Sequence, residues 1–129
     1  PTQEQLIRGK VYHLAIETLL RQIIPEKELV IEKTYTLQLK DLGLPSSGTL
    51  CFTPDAHTNN TLFEIKSTAK SLNYATQQTS IYVYLLNTYF NKEINECFMI
   101  TGDLKVYQLN CDPNYGRNLL LGKLKSRLF

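Results

Sequence analysis

Apolar residues in the first two dozen positions recur mostly at helical steps. Leu6, Ile7, Val11, Leu14, Leu20 and Ile24 follow this spacing, and Pro25 stops it, so the pattern predicts a helix over 2–24. The stretch 29–39 is rich in β-formers (Val30, Ile31, Thr34, Tyr35, Thr36) and runs into a turn-prone segment with Pro45, Ser46 and Ser47, which predicts one strand and then a loop. Two further extended runs, 49–57 and 61–67, flank Asn59-Asn60, a pair able to adopt the positive φ angles of a tight hairpin turn. From 72 to about 90, Ala75, Ile81, Tyr82, Leu85, Leu86 and Tyr89 keep helical spacing without Pro or Gly, so a long second helix is expected. Residues 97–101 and 104–109 read as short strands around Gly102-Asp103. Residues 117–129 read as a basic amphipathic helix carrying Leu120, Leu124 and Leu128, with Gly122 against it. The expected order is α, β, β, β, α, β, β, α, with no repeat, low-complexity tract or linker.

Length and composition narrow the class. A chain of 129 residues suits a single domain over 1–129. With 43% hydrophobic and 20% charged residues it reads as an ordinary globular protein, and no apolar run approaches the roughly 20 residues of a membrane span. Residues 1–10 are polar with scattered charge, unlike a signal peptide, so an intracellular setting, cytoplasmic or nuclear, is expected. Cys51, Cys97 and Cys111 are odd in number and widely spaced. That argues for reduced thiols and against both a disulfide framework and paired CxxC metal ligands. A net charge of +2 does not by itself mark a nucleic-acid binder; phosphate contacts would need local clusters of Lys and Arg.

The hairpin carries the chemistry. With a two-residue turn at Asn59-Asn60, His57 pairs with Leu62, Ala56 with Phe63, and Asp55 with Glu64. Opposed side chains on paired strands have β-carbons about 5 Å apart, and two carboxylates there repel unless something neutralises them. Alternation along the strand puts Lys66 on the face of Glu64 and turns Ile65 away from it. Two carboxylates and an ammonium on one patch suit phosphodiester hydrolysis, which needs oxygen ligands for Mg²⁺ or Mn²⁺ and a positive group near the attacking water. The bland alternative is a solvated surface hairpin, since ExK alone is a common string.

Thr53-Pro54-Asp55 followed by Phe63-Glu64-Ile65-Lys66-Ser67 resembles the signature of the PD-(D/E)XK nuclease superfamily. The short interval is similar to that in lambda exonuclease and its viral relatives. Gly9-Lys10-Val11-Tyr12-His13 with Glu17, and Gln78-x-x-x-Tyr82, resemble the RecB-like and CRISPR-adaptation exonucleases. The resemblance covers about residues 9–82. It implies an α/β, restriction-endonuclease-like core with a central mixed β-sheet flanked by helices. It also implies a metal-dependent deoxyribonuclease, exonucleolytic, and leaves a viral or mobile-element origin open. In that frame Asp55, Glu64 and Lys66 are catalytic. His13, Asp55, Glu64 and the backbone carbonyl of Ile65 are ligands of Mg²⁺ or Mn²⁺, and Gln78, Tyr82 and Glu17 bind or orient the substrate. DNA is the expected partner. RNA stays open, because viral cap-snatching endonucleases combine a helical His with a similar carboxylate pair, and a second copy or partner chain is plausible for so small a domain.

Each supporting residue has a plainer reading. His13 and Glu17 share a helix face, but a helical His is often just hydrogen-bonded, and Glu17 can pair with Arg21. Tyr82 can be core beside Ile81 and Leu85. His57 is expected to be exposed near the turn. One departure from the RecB-like pattern is Cys51, which follows Gly48-Thr49-Leu50 where that pattern carries its metal-binding Asp. Were Cys51 in the ligand position, the chain would be an inactive nuclease-fold module that binds nucleic acid.

Overall fold

A computed structural model describes residues 2–128, with residues 5–9 and 128 described by backbone alone. Expectations resting on the side chains of Leu6, Ile7, Gly9 and Leu128 therefore lie outside the described residues. Helix α1 spans Gln3–Ile23, and Pro25 follows its end. Its inward face is His13, Ile16, Glu17 and Leu20, with Ile24 half-buried just past the helix end, while Val11, Leu14, Leu19 and Ile23 are exposed. The apolar stripe expected through Val11 and Leu14 thus faces solvent. The buried side is set by what it packs on: Ile16 and Leu20 meet Ala56, Ile65 and Ile100 of the sheet.

The extended run after α1 is not one strand. β1 (Val30–Ile31) and β2 (Tyr35–Gln38) belong to different sheets, because Glu32 takes a left-handed φ of 51° and turns the chain between them. The run 49–57 divides in the same way. β3 (Thr49–Phe52) pairs with β2, and β4 (Ala56–His57) pairs with β1, with Pro54 between them unable to donate to either ladder. β5 (Thr61–Lys66), helix α2 (Leu72–Tyr89), β6 (Glu96–Thr101), β7 (Val106–Leu109) and helix α3 (Pro113–Leu128) complete the chain.

The main sheet has the order β1-β4-β5-β6-β7. β5 and β6 run parallel, as a helical crossover between strands permits, and the other neighbours are antiparallel. Side-chain alternation sorts the faces. Ile65 and Ile100 pack under α1, whereas Leu62, Cys97, Met99 and Leu109 pack under α2 and α3 with Val83, Leu86 and Leu120. An α/β fold with a central mixed sheet flanked by helices is what the sequence led one to expect. Among the described residues no helix is long and apolar enough to cross a membrane.

Helix α3 begins earlier than its apolar spacing suggested. Asp112 caps it by accepting the Asn114 N–H at 2.9 Å, and Pro113 supplies a first helical residue that needs no donor. The earlier start brings Gly116 against α2, where an added β-carbon would lie 2.0 Å from the Ser80 carbonyl oxygen. Alanine gains about 1 kcal/mol over glycine in a helix. Forcing two helix backbones apart costs more, so Gly116→Ala is expected to destabilise by about 3 kcal/mol net, read as a melting temperature lower by roughly 10 °C. An unchanged melting temperature would contradict the close α2–α3 approach.

Candidate active site

The hairpin closes in the expected register, with Ala56 opposite Phe63 and His57 opposite Leu62. Its turn differs from expectation: neither Asn59 nor Asn60 takes a positive φ. Thr58 performs the closure instead, its Oγ1 accepting the N–H groups of Asn60 and Thr61 at 3.2 and 3.0 Å. His57 also differs, since it is buried rather than exposed. Tyr35 Oη lies 2.7 Å from its Nε2 and the Thr58 carbonyl 2.8 Å from its Nδ1, and burial lowers its pKa.

Asp55 lies one residue beyond the β4 ladder and meets β5 through its side chain. Its Oδ2 accepts the Ile65 N–H at 2.7 Å, and its own N–H donates to Glu64 Oε1 at 3.5 Å. Glu64 is 2% exposed, and it points with Lys66 to the α2 side of the sheet. The Lys66 ammonium sits 4.0 Å from Glu64 Oε2 and donates to Gln78 Oε1 at 2.9 Å, and Gln78 Nε2 donates to the Tyr82 hydroxyl at 3.0 Å. Tyr82 stacks on Phe52, so the Lys66–Gln78–Tyr82 relay is anchored in the core. The exposed ring of Tyr74 lies 5.2 Å from the Lys66 ammonium. Sequence reasoning missed Tyr74, although the spacing Tyr74, Gln78, Tyr82 marks one face of α2.

Helix α1 approaches Asp55 from the other layer. His13 Nδ1 is 4.0 Å from Asp55 Oδ1, and His13, Glu17 and Glu32 each offer a ligand atom within 4.8 Å of the others. Glu32 had no place in the sequence reading; it is delivered by the left-handed turn, and its N–H donates to the Asp55 carbonyl at 3.0 Å. Cys51 stands apart on β3, exposed, with its Sγ 3.6 Å from Thr36 Oγ1. Asp55, not Cys51, is the residue that reaches Glu64.

Charge is crowded here. Burial, followed by the negative charge and hydrogen bond of Asp55, pushes Glu64 up to about 9, with Lys66 offsetting only part. Burial and the hydrogen bond with Glu32 push Glu17 up to about 7, and the Arg21 charge only partly opposes this. Tyr82 rises to about 12, chiefly by burial and then through Glu64.

No protein-family model and no curated protein matches this chain. What the site does must therefore follow from its own donors and charges. Two adjacent carboxyls, one of them buried, form a pocket of oxygen donors that a divalent cation can fill. The ammonium beside them is aimed by Gln78, and so offers positive charge at a fixed point.

Proposed function

We propose that this chain is a metal-dependent nuclease domain of the PD-(D/E)XK type that hydrolyses phosphodiester bonds in DNA. The observation carrying the reading is the buried Glu64 paired with Asp55, with the Lys66 ammonium 4.0 Å from Glu64 and fixed by Gln78. A mixed sheet with α1 on one face and α2 and α3 on the other is consistent with a restriction-endonuclease-like core. The exonucleolytic mode rests on resemblance to lambda exonuclease and RecB-like proteins. Assembly with a second copy or a partner chain belongs to the same proposal.

The donor set suits Mg²⁺ or Mn²⁺: Asp55 and Glu64 carboxylates with the Ile65 carbonyl. A cation held there would polarise the phosphate and lower the pKa of a bound water. The protein's own groups do the rest. Asp55 and Glu64 supply the negative charge that attracts the ion. Lys66 offers positive charge to the phosphate oxygens, where negative charge accumulates, and hydrogen bonds from Gln78 and Tyr82 fix its position before the substrate arrives. Tyr74 presents an exposed ring beside Lys66 on which a base can stack.

The test is cleavage of labelled single- and double-stranded DNA and RNA with Mg²⁺, Mn²⁺ or EDTA, alongside Glu64→Ala. Metal-dependent cleavage that vanishes in the variant is the expected result. RNA cut in preference to DNA would favour the cap-snatching type. Failure to cut any substrate with either metal would sink the enzyme reading and leave a binding module.

A further inference from the structure

Two of the carboxylates near the hairpin take no part in the chemistry proposed above. Glu17 is 7% exposed, and its Oε1 has no hydrogen-bond partner among the described residues. Its hydrogen-bonding neighbour is another acid, the exposed Glu32, and the Arg21 charge offsets the pair only in part. Folded proteins do not leave such an oxygen orphaned without cost, and two like charges side by side add to that cost. Glu32 reaches this position only through a left-handed φ of 51°, a strained conformation for an L-residue with a long side chain. The strain is held by its N–H, which donates to the Asp55 carbonyl at 3.0 Å. His13, one helical turn before Glu17, completes a group whose ligand atoms all lie within 4.8 Å of one another.

We propose that His13, Glu17 and Glu32 form a second cation site, separate from Asp55 and Glu64, that takes a divalent transition metal such as Mn²⁺. Two carboxylates with an imidazole suit a borderline ion better than Ca²⁺ or Mg²⁺, which prefer all-oxygen shells. A cation there gives the orphaned oxygen a partner and cancels the repulsion between the two acids. The site is tied to the first twice over. His13 stands 4.0 Å from Asp55, and the backbone of Glu32 holds that of Asp55. The proposal does not rest on the nuclease reading, because it concerns an ion and not a reaction. The plain alternative is that Glu17 and Glu32 hydrogen-bond to each other and bind nothing.

Counting bound Mn²⁺ separates the two. The free-ion electron paramagnetic resonance signal is titrated against the wild-type protein, Glu17→Gln/Glu32→Gln and Asp55→Asn/Glu64→Gln, each checked by circular dichroism. The wild type is expected to bind two ions. The Glu17/Glu32 variant should lose one, or bind it at least tenfold more weakly; unchanged number and affinity overturn the proposal. In the Asp55/Glu64 variant one ion should remain, with nitrogen coupling from the His13 imidazole, and its absence overturns the proposal equally. That second arm keeps Glu17 and Glu32 intact, so it decides the matter even if the first variant folds poorly. A single wild-type ion lost only with Asp55 and Glu64 would leave the nuclease reading standing and remove this site. One lost only with Glu17 and Glu32 would do the reverse.

Discussion

Lys66→Ala is expected to lower metal-dependent phosphodiester cleavage by about 10²–10⁴-fold while the protein stays folded, the range typical of a removed charge-stabilising or proton-handling group. The side chain spans the gap between Glu64 and Gln78, with its ammonium beside the exposed Tyr74 ring. Because Glu64 is buried, the variant is expected to lose about 1–3 kcal/mol of stability, the cost of leaving a buried polar group short of a partner, and to remain folded at the assay temperature. The discriminating readout is kcat. A residue that only attracts nucleic acid would raise KM and leave kcat intact, whereas one acting on the developing phosphate charge lowers kcat. Undiminished kcat would remove Lys66 from the reaction. Gln78→Ala should give a smaller loss in kcat, since it releases the ammonium without deleting it.

The metal-free protein should become less stable as pH rises. Folding holds the Glu64 carboxyl up to about 9, against 4.5 for the ordinary group, so between those values the folded state keeps a proton that the unfolded chain has released. Stability from this group is complete below about pH 4.5 and is lost progressively towards about pH 9. Glu17, held up to about 7, contributes with the same sign over the lower part of the range. Raising a carboxyl's pKa by one is worth about 1.4 kcal/mol, but relaxation around the buried carboxyl reduces the total. A fall on the order of 3 kcal/mol, near 10 °C in melting temperature, is expected in EDTA between about pH 5.5 and pH 9. Mn²⁺ should raise the melting temperature most at the alkaline end, where the carboxyls give up their protons to it most readily. Glu64→Gln should flatten the metal-free profile. Equal slopes for wild type and variant would show that the buried carboxyl does not hold its proton.

How much of this was legible in the sequence depends on whether a feature is local. The register of Ala56 with Phe63 and the alternation of Glu64, Ile65 and Lys66 follow from a period of two and a short turn, and both were readable. The break at Glu32 was not. Left-handed backbone at a non-glycine residue leaves no compositional trace, so residues 29–39 read as one strand and Glu32 went unnoticed. The misplacement of His57 follows from the same error, because Tyr35 covers it only once β2 has left the main sheet. Val11 and Leu14 misled for another reason. Helical period shows that a face exists, whereas the partner surface decides which face turns inward, and here His13 and Glu17 turn inward with Ile16 and Leu20. Tyr74 was within reach, being one turn before Gln78 on the face that meets Lys66.

Both margins of the five-stranded sheet are short, with two residues in β1 and four in β7. Exposed strand edges are where a second chain can add by backbone pairing, and a short edge offers few unpaired N–H and C=O groups for it to use. Lys105, exposed immediately before β7, sets a charge at that margin as well. Strand-by-strand polymerisation is thereby disfavoured, and lateral growth of that sheet into aggregates is checked at both sides.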